Sequence, residues 1–174
     1  MRHALFPIPL LLLAACSRTP DIYQPPIQRK PLTGPESRIG SFINMNELTA
    51  DAYIVSDISH TTEGGLWRWA YRHPRMRFFI RGIDKLRFVM DMGIPETTFK
   101  DTGPVVLTIL MNDRELGKIR FDKPGDQHID MPVPAAMLHA GSENFVSFET
   151  DKQWVSKEDG AVLNFVITRA GFVK

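Results

Sequence analysis

Residues 104–121, which read PVVLTILMNDRELGKIRF, predict a β-hairpin around which the rest of the fold is organised. Residues 104–111 form a nearly continuous apolar run rich in β-branched side chains, as expected for a strand at the centre of a sheet or covered on both faces. Asn112 and Asp113 follow, and both residue types tolerate the left-handed backbone conformation that a tight turn requires. We therefore predict that residues 115–121 return as the second strand.

Further strands are predicted on both sides of this hairpin. The clearest is residues 85–92, where Leu86, Phe88, Met90 and Met92 point one way and Lys85, Arg87 and Asp91 point the other, in the period of two that marks a half-buried strand. Many short strands separated by Gly, Pro, Asn and Asp turns predict an all-β protein, a β-sandwich with jelly-roll connections. The other candidate elements are strands at residues 52–58, 76–81, 144–150 and 161–168, and one short helix at residues 134–139.

The composition of the 174-residue chain is that of one ordinary globular domain. Hydrophobic residues make up 43% and charged residues 24%, which predicts a packed core. The formal net charge of +1 supplies no global field that would draw the protein onto nucleic acid, so no nucleic-acid partner is expected. Cys16 is the only cysteine, which excludes an intrachain disulfide and cysteine-rich metal or redox sites.

The start of the chain has the character of an export signal. Residues 4–13 form an apolar run that is too short to span a bilayer as a helix. Residues 13–16, LAAC, resemble the lipobox of bacterial lipoproteins; the alternative is an ordinary secretory signal with an unrelated cysteine. The resemblance implies that residues 1–15 are removed and that lipidated Cys16 anchors the protein in the cell envelope. Because no Asp follows the cysteine, the signal also resembles that of lipoproteins sorted to the outer membrane, which would face the periplasm or the cell surface.

A proline-rich spacer is predicted between this anchor and the domain. Residues 16–40 hold five prolines and few large apolar side chains, so they are expected to form an extended tether rather than part of a core. The β-sandwich domain is therefore predicted to occupy residues 41–174.

The domain is similar to the galactose-binding-like jelly rolls. The similarity lies in a strand followed by the Asn112-Asp113 turn, a return strand containing Leu116-Gly117, a Pro134-led helical turn, and the step from Gly141 to Asn144. In that superfamily these features recur in sugar-binding modules and in non-catalytic domains of glycoside hydrolases. The resemblance implies a jelly-roll fold and a carbohydrate ligand.

A first candidate binding site lies in residues 67–87, which contain seven Arg and Lys residues against one Asp, interleaved with aromatic side chains. Arginine forks pair with carboxylate or phosphate groups, and aromatic faces stack on sugar rings, so this stretch would fit an acidic polysaccharide or a phosphorylated glycan. The alternative is a strand whose charges are solvated and whose tryptophans are core residues. The predicted ligand-binding residues here are Trp67, Trp69, Tyr71, Arg72, His73 and Arg75.

A second candidate site lies in the loop at residues 150–159. Asp151 and Trp154 combine an acid with an aromatic side chain at a loop, a composition suited to recognising sugar hydroxyls. Trp154 would equally serve as a lid over one end of the sandwich.

The sequence predicts no catalytic site, metal site or cofactor. It contains neither a G-x-S-x-G nor an H-E-x-x-H motif, and its histidines show no ligand spacing. Asp126 and Asp130 would suit the acid pair of a glycoside hydrolase, although such pairs arise by chance among 20 acids. Calcium held by loop carboxylates for structural reasons stays an open alternative in this fold, with no contiguous Asp-rich loop in the sequence to indicate its site.

Two functions of different class follow from these observations. The first is a lipid-anchored, non-enzymatic carbohydrate-binding protein that holds or guides an envelope polysaccharide. The alternative is a lipoprotein subunit that docks onto an envelope export or polysaccharide-synthesis complex through exposed aromatic surface, for which Phe78 and Phe79 are candidates.

Overall fold

The computed structural model describes residues 39–174. The predicted signal peptide, the lipidated Cys16 and nearly all of the predicted tether lie outside the described residues. Within residues 39–174, no helix has the length and apolar composition needed to cross a bilayer.

The described residues are mainly strands, which confirms the all-β prediction. The predicted short helix appears as the 3-10 helix Ala135–Met137, and the predicted strand at 52–58 starts with another 3-10 helix, Ala50–Tyr53. The strands are β1 Phe42–Asn44, β2 Ile54–Ile58, β3 Arg68–Ile80, β4 Arg87–Ile94, β5 Val105–Met111, β6 Arg114–Phe121, β7 Gly125–Pro132, β8 Ser142–Thr150, β9 Trp154–Val155, β10 Val162–Leu163 and β11 Phe165–Val173.

One α-helix, α1 (Glu96–Thr102), was not predicted. Pro95 precedes it, and Gly103, with φ of 67°, ends it. Proline at the start and glycine after the end are ordinary helix boundary signals. The helix has only seven residues, however, and a single buried side chain, Thr98, so it carries almost no apolar periodicity.

The nine-stranded sheet of the described residues folds back on itself to make the sandwich. Its strand order is β6-β5-β8-β3-β11-β4-β7, with β1 on β11 and β2 on β3. β2 pairs with one edge of the 13-residue strand β3. Along its other edge, β3 pairs with β11 through Arg68–Ala70 and with β8 through Arg75–Ile80. One strand therefore contributes to both halves of the sandwich.

Aromatic side chains fill the space between the two halves. The rings of Phe88 on β4 and Phe148 on β8 lie 6.1 Å apart between centroids, and those of Phe78 on β3 and Phe172 on β11 lie 5.5 Å apart. All four rings are buried. Phe78 is thus a core residue, and the prediction that it is exposed for docking is wrong; Phe79, which faces the other side of β3, is half-buried.

The β5–β6 hairpin has the predicted turn. Met111 pairs with Arg114, which leaves Asn112 and Asp113 as a two-residue loop with φ of 49° and 63°. Positive φ at both positions is the type I′ geometry, whose twist matches that of the flanking strands.

Asn112 and Asn144 fasten this hairpin to the rest of the sandwich. Asn112 Nδ2 donates to Asn144 Oδ1 (2.9 Å), and Asn112 Oδ1 accepts from the backbone N–H of Phe145 (2.8 Å). Asn144 is fully buried, and its amide also bonds the backbone of His139 and Ser142. Because each amide finds partners, the buried polar pair joins β8 and the turn before it to the hairpin.

Candidate functional site

Trp67 and Trp69 form the side of a surface groove. Trp67 immediately precedes β3 and Trp69 is its second residue, so both face outward while Arg68 and Ala70 face the core. Their rings are half-buried and pack edge to face, with centroids 5.6 Å apart. The groove beside them has a volume of about 460 Å³.

The floor of the groove is a row of residues across four strands. Trp69 on β3 pairs with Val166 on β11, Val166 pairs with Gly93 on β4, and Gly93 pairs with Asp126 on β7. A Cβ on Gly93 would lie 2.9 Å from Val166 Cγ2 and 3.5 Å from Asp126 Oδ1. The missing side chain therefore leaves room for the Val166 side chain and the Asp126 carboxylate to lie close over Gly93 in the floor.

Two carboxylates and two prolines complete the groove. Glu96, the first residue of α1, and Asp126 are both exposed, and Pro95 and Pro124 line the space near them. Tryptophan faces accept the apolar faces of sugar rings, and carboxylates accept hydrogen bonds from hydroxyl groups. This composition is suited to binding a small polar ring-shaped ligand.

Arg68 has a structural role on the opposite side of the strand. It is 5% exposed, and its guanidinium donates to the backbone oxygens of Met45 (2.8 Å) and His60 (3.0 Å) and to Asp51. The hydrogen bond from Arg68 lowers the pKa of the Asp51 carboxyl below its usual value. The positive charge of Arg68 is therefore paired with Asp51, on the side of β3 that faces away from the groove.

The other predicted residues of β3 do not line the groove. Tyr71 is half-buried, and Arg72 and His73 are exposed further along the strand. Arg75 forms an ion pair with Asp113 (3.0 Å) on the β5–β6 turn, and its guanidinium carbon lies 4.8 Å from the centre of the Phe145 ring. The structure thus separates the arginines of the predicted basic-aromatic site from its two tryptophans.

Asp151 and Trp154 brace neighbouring backbone and α1. Asp151 Oδ1 accepts from the backbone N–H of Val106 at 2.7 Å. The indole N–H of Trp154 donates to Asp101 Oδ2 at 2.8 Å, on the last turn of α1. These contacts agree with a lid at the end of the sandwich, and sugar binding by this pair stays a prediction.

Glu96 and Gly93 carry no sequence signal that marks them as site residues, and Asp126 stood out only as a partner of Asp130. In the structure Asp130 is ion-paired with Arg87 (2.6 Å). Within residues 39–174, no group of three or more His, Cys, Asp or Glu side chains is arranged to hold a metal ion. The sequence signal for the groove was the spacing of Trp67 and Trp69, because side chains two positions apart point to the same face of a strand.

An acidic residue on the outward face of β4, Asp91, lies outside the lining of the tryptophan groove. It contacts both His128 and Arg169. Burial acts to raise the pKa of Asp91, but these two hydrogen bonds outweigh it and hold that pKa below its usual value.

A second, larger groove of about 820 Å³ adjoins Ile39, the first described residue. The charged side chains that line this groove, Arg81 and Lys174, are exposed.

No family model and no curated protein matches this chain. Solved structures do match it at low identity. A CBM35 from Paenibacillus barcinonensis is 12% identical, with 78% of this chain and 99% of that chain covered and a TM-score of 0.45. A carbohydrate-binding module CBM36 in complex with calcium and xylotriose is 13% identical, with 76% and 98% covered and a TM-score of 0.37. The acetyl xylan esterase Est2A from the rumen bacterium Butyrivibrio proteoclasticus is 8% identical, with 78% and 34% covered and a TM-score of 0.42.

Proposed function

We propose that this protein binds a polysaccharide in the groove beside Trp67 and Trp69 and does not transform it. The observation that carries the proposal is the pair of outward-facing, half-buried tryptophans beside a floor that leads through Val166 and Gly93 to the Asp126 carboxylate. Aromatic faces next to hydrogen-bonding carboxylates provide both kinds of contact that a sugar ring offers. A groove of about 460 Å³ has room for a short stretch of a glycan.

The groove is tested by removing its tryptophans. For a polysaccharide that the wild-type protein retards in affinity electrophoresis, we expect Trp67→Ala and Trp69→Ala each to raise Kd on the order of tenfold. Losing a stacking contact of about 1.4 kcal/mol has that effect. Trp154→Ala is the comparison variant, because Trp154 bonds Asp101 outside the groove: retained binding excludes the second candidate site, and binding lost there instead would place the ligand at that loop.

Equal retardation of the wild-type protein and the double variant Trp67→Ala/Trp69→Ala would exclude the groove as the binding site. The same mixtures, sampled over time for released reducing ends, test the non-enzymatic part of the proposal. Release of product by the wild-type protein would refute it.

The acidic-glycan hypothesis places binding elsewhere on β3. Arg72 is exposed and Arg75 is about one-third exposed, but neither lines the groove. Binding through these arginines would be lost in an Arg72→Glu/Arg75→Glu variant and retained in the tryptophan variants. The same assay therefore separates the two surfaces.

The proposal also includes a lipid anchor that holds the domain in the bacterial cell envelope, in the outer membrane. It is supported by the lipobox-like residues 13–16 and by the proline-rich residues that follow. We expect mass spectrometry of the protein from bacterial membranes to show an N-terminal Cys16 carrying acyl chains. An unmodified Cys16 in the mature protein would refute the anchor without affecting the groove.

Docking onto an export or synthesis complex is the alternative function. Among its candidate residues Phe78 is buried in the core, which removes half of the aromatic surface on which it depended. Copurification of envelope proteins with a chain that binds no glycan would support this alternative.

A further inference from the structure

We propose that the groove discriminates between glycans by charge: it favours those bearing free amino groups, accepts uncharged ones, and rejects those bearing carboxylates. This inference rests on the proposed function, because it concerns which sugars the tryptophan groove admits.

The first observation is the charge of the groove itself. The charged side chains that line it are Glu96 and Asp126, and both are exposed. Neither carboxylate forms an ion pair among residues 39–174. Asp126 Oδ1 lies 3.5 Å from the position that a Cβ on Gly93 would occupy, so its negative charge is directed over the floor of the groove.

The second observation is that nearby arginines are engaged by other acids. Arg68 faces the core and is bonded to Asp51, and Arg169 on the outward face of β11 is held by Asp91. Lys100 and Lys123 flank the groove acids in sequence, but neither lysine lines the groove or pairs with an acid there. Both charges that line the groove itself are therefore negative.

The third observation is the pair of tryptophans. A ligand ammonium group above an indole face gains cation–π attraction in addition to its attraction to the two carboxylates. A ligand carboxylate is repelled by both acids and gains nothing from the indole faces. Salt screens these effects, because the groove is open to water.

The test compares three β-1,4-linked tetrasaccharides, one of glucose, one of glucosamine and one of glucuronic acid, by calorimetry at 20 and 200 mM NaCl and at a mildly acidic pH at which the amino groups are protonated and the carboxylates ionised. At low salt we expect the wild-type protein to bind the glucosamine tetramer about tenfold more tightly than the glucose tetramer, and the glucuronic acid tetramer about tenfold more weakly. The differences are expected to shrink at 200 mM NaCl.

The matched variants are Glu96→Gln/Asp126→Asn in the groove and Glu149→Gln/Glu158→Gln on exposed positions outside it. Both remove two negative charges, and Glu149 and Glu158 do not line the groove. We expect the groove variant to bind the charged tetramers with nearly equal affinity and the control variant to keep the wild-type order.

The outcomes are distinguishable. If the glucuronic acid tetramer binds as well as the glucose tetramer, or if the wild-type order persists in the groove variant, charge discrimination by these acids is refuted while tryptophan-dependent binding stands. If none of the three tetramers binds at any salt concentration while a polysaccharide still retards the wild-type protein through Trp67 and Trp69, the inference fails and the proposed function stands; if no polysaccharide is bound through the tryptophans either, both fail.

Discussion

Replacing Arg68 with methionine is expected to lower the free energy of unfolding by about 3 kcal/mol. The guanidinium is 5% exposed and donates to the backbone oxygens of Met45, Ser59 and His60 as well as to Asp51. Methionine fills much of the same volume but donates no hydrogen bond. Each buried carbonyl left without a donor costs about 1–3 kcal/mol, whereas Asp51 is exposed enough to regain water. Urea denaturation followed by tryptophan fluorescence measures the loss.

The control is Arg87→Met. Arg87 is ion-paired with Asp130, and both side chains are about 40% exposed. Exposed pairs contribute at most about 1 kcal/mol, so this variant should unfold close to the wild-type midpoint. If Arg68→Met is no less stable than Arg87→Met, then the bonds of Arg68 do not hold the segment from Met45 to His60 against β3.

Replacing Gly171 with alanine is expected to destabilise the protein by a similar amount, about 3 kcal/mol. Gly171 lies in β11 with φ of 154°, a conformation that L side chains rarely adopt. A Cβ there would lie 2.4 Å from the backbone oxygen of Ser41 and 2.5 Å from Phe42 Cα. Both contacts are with backbone, so they are relieved only by moving β1 away from β11.

Gly82→Ala is the matched control, because a Cβ at Gly82 meets no atom within 4 Å. Two measurements follow the effect: the urea midpoint and the rate of proteolysis near residues 41–45. We expect faster cleavage there in Gly171→Ala, since displaced β1 loses its pairing with β11. An unchanged midpoint with unchanged cleavage would show that the close approach of β1 and β11 is not needed for stability.

The strands that could be predicted are those whose side chains carry a strong pattern. Residues 104–111 are almost entirely apolar, and residues 85–92 alternate with a period of two, so each pattern indicates a strand without knowledge of its neighbours. β7 was missed because it is polar: of its eight residues only Ile129 is buried. An edge strand in this position is stabilised by backbone pairing with β4, which leaves no pattern in its own side chains.

The residues of the candidate site likewise fall into those that the sequence indicates and those that only the fold brings together. Trp67 and Trp69 could be nominated from their residue type, and their spacing places them on one face of a strand. Glu96 and Asp126 could not be joined to them, because the acids enter from α1 and β7, separated from the tryptophans by 27 or more positions in the sequence. Arg72 and Arg75 are neighbours of the tryptophans in sequence and lie outside their groove.

The class of fold and the Asn112-Asp113 turn could be predicted from the sequence alone, because each depends on residues close together in the chain, whereas the outward placement of the two tryptophans could not. Only the tertiary structure decided that Gly93 and Asp126 complete the tryptophan groove and that Arg68 serves the core. The register between β3, β11, β4 and β7 places those residues in one row. Register depends on packing and pairing between distant segments, which local sequence patterns do not encode.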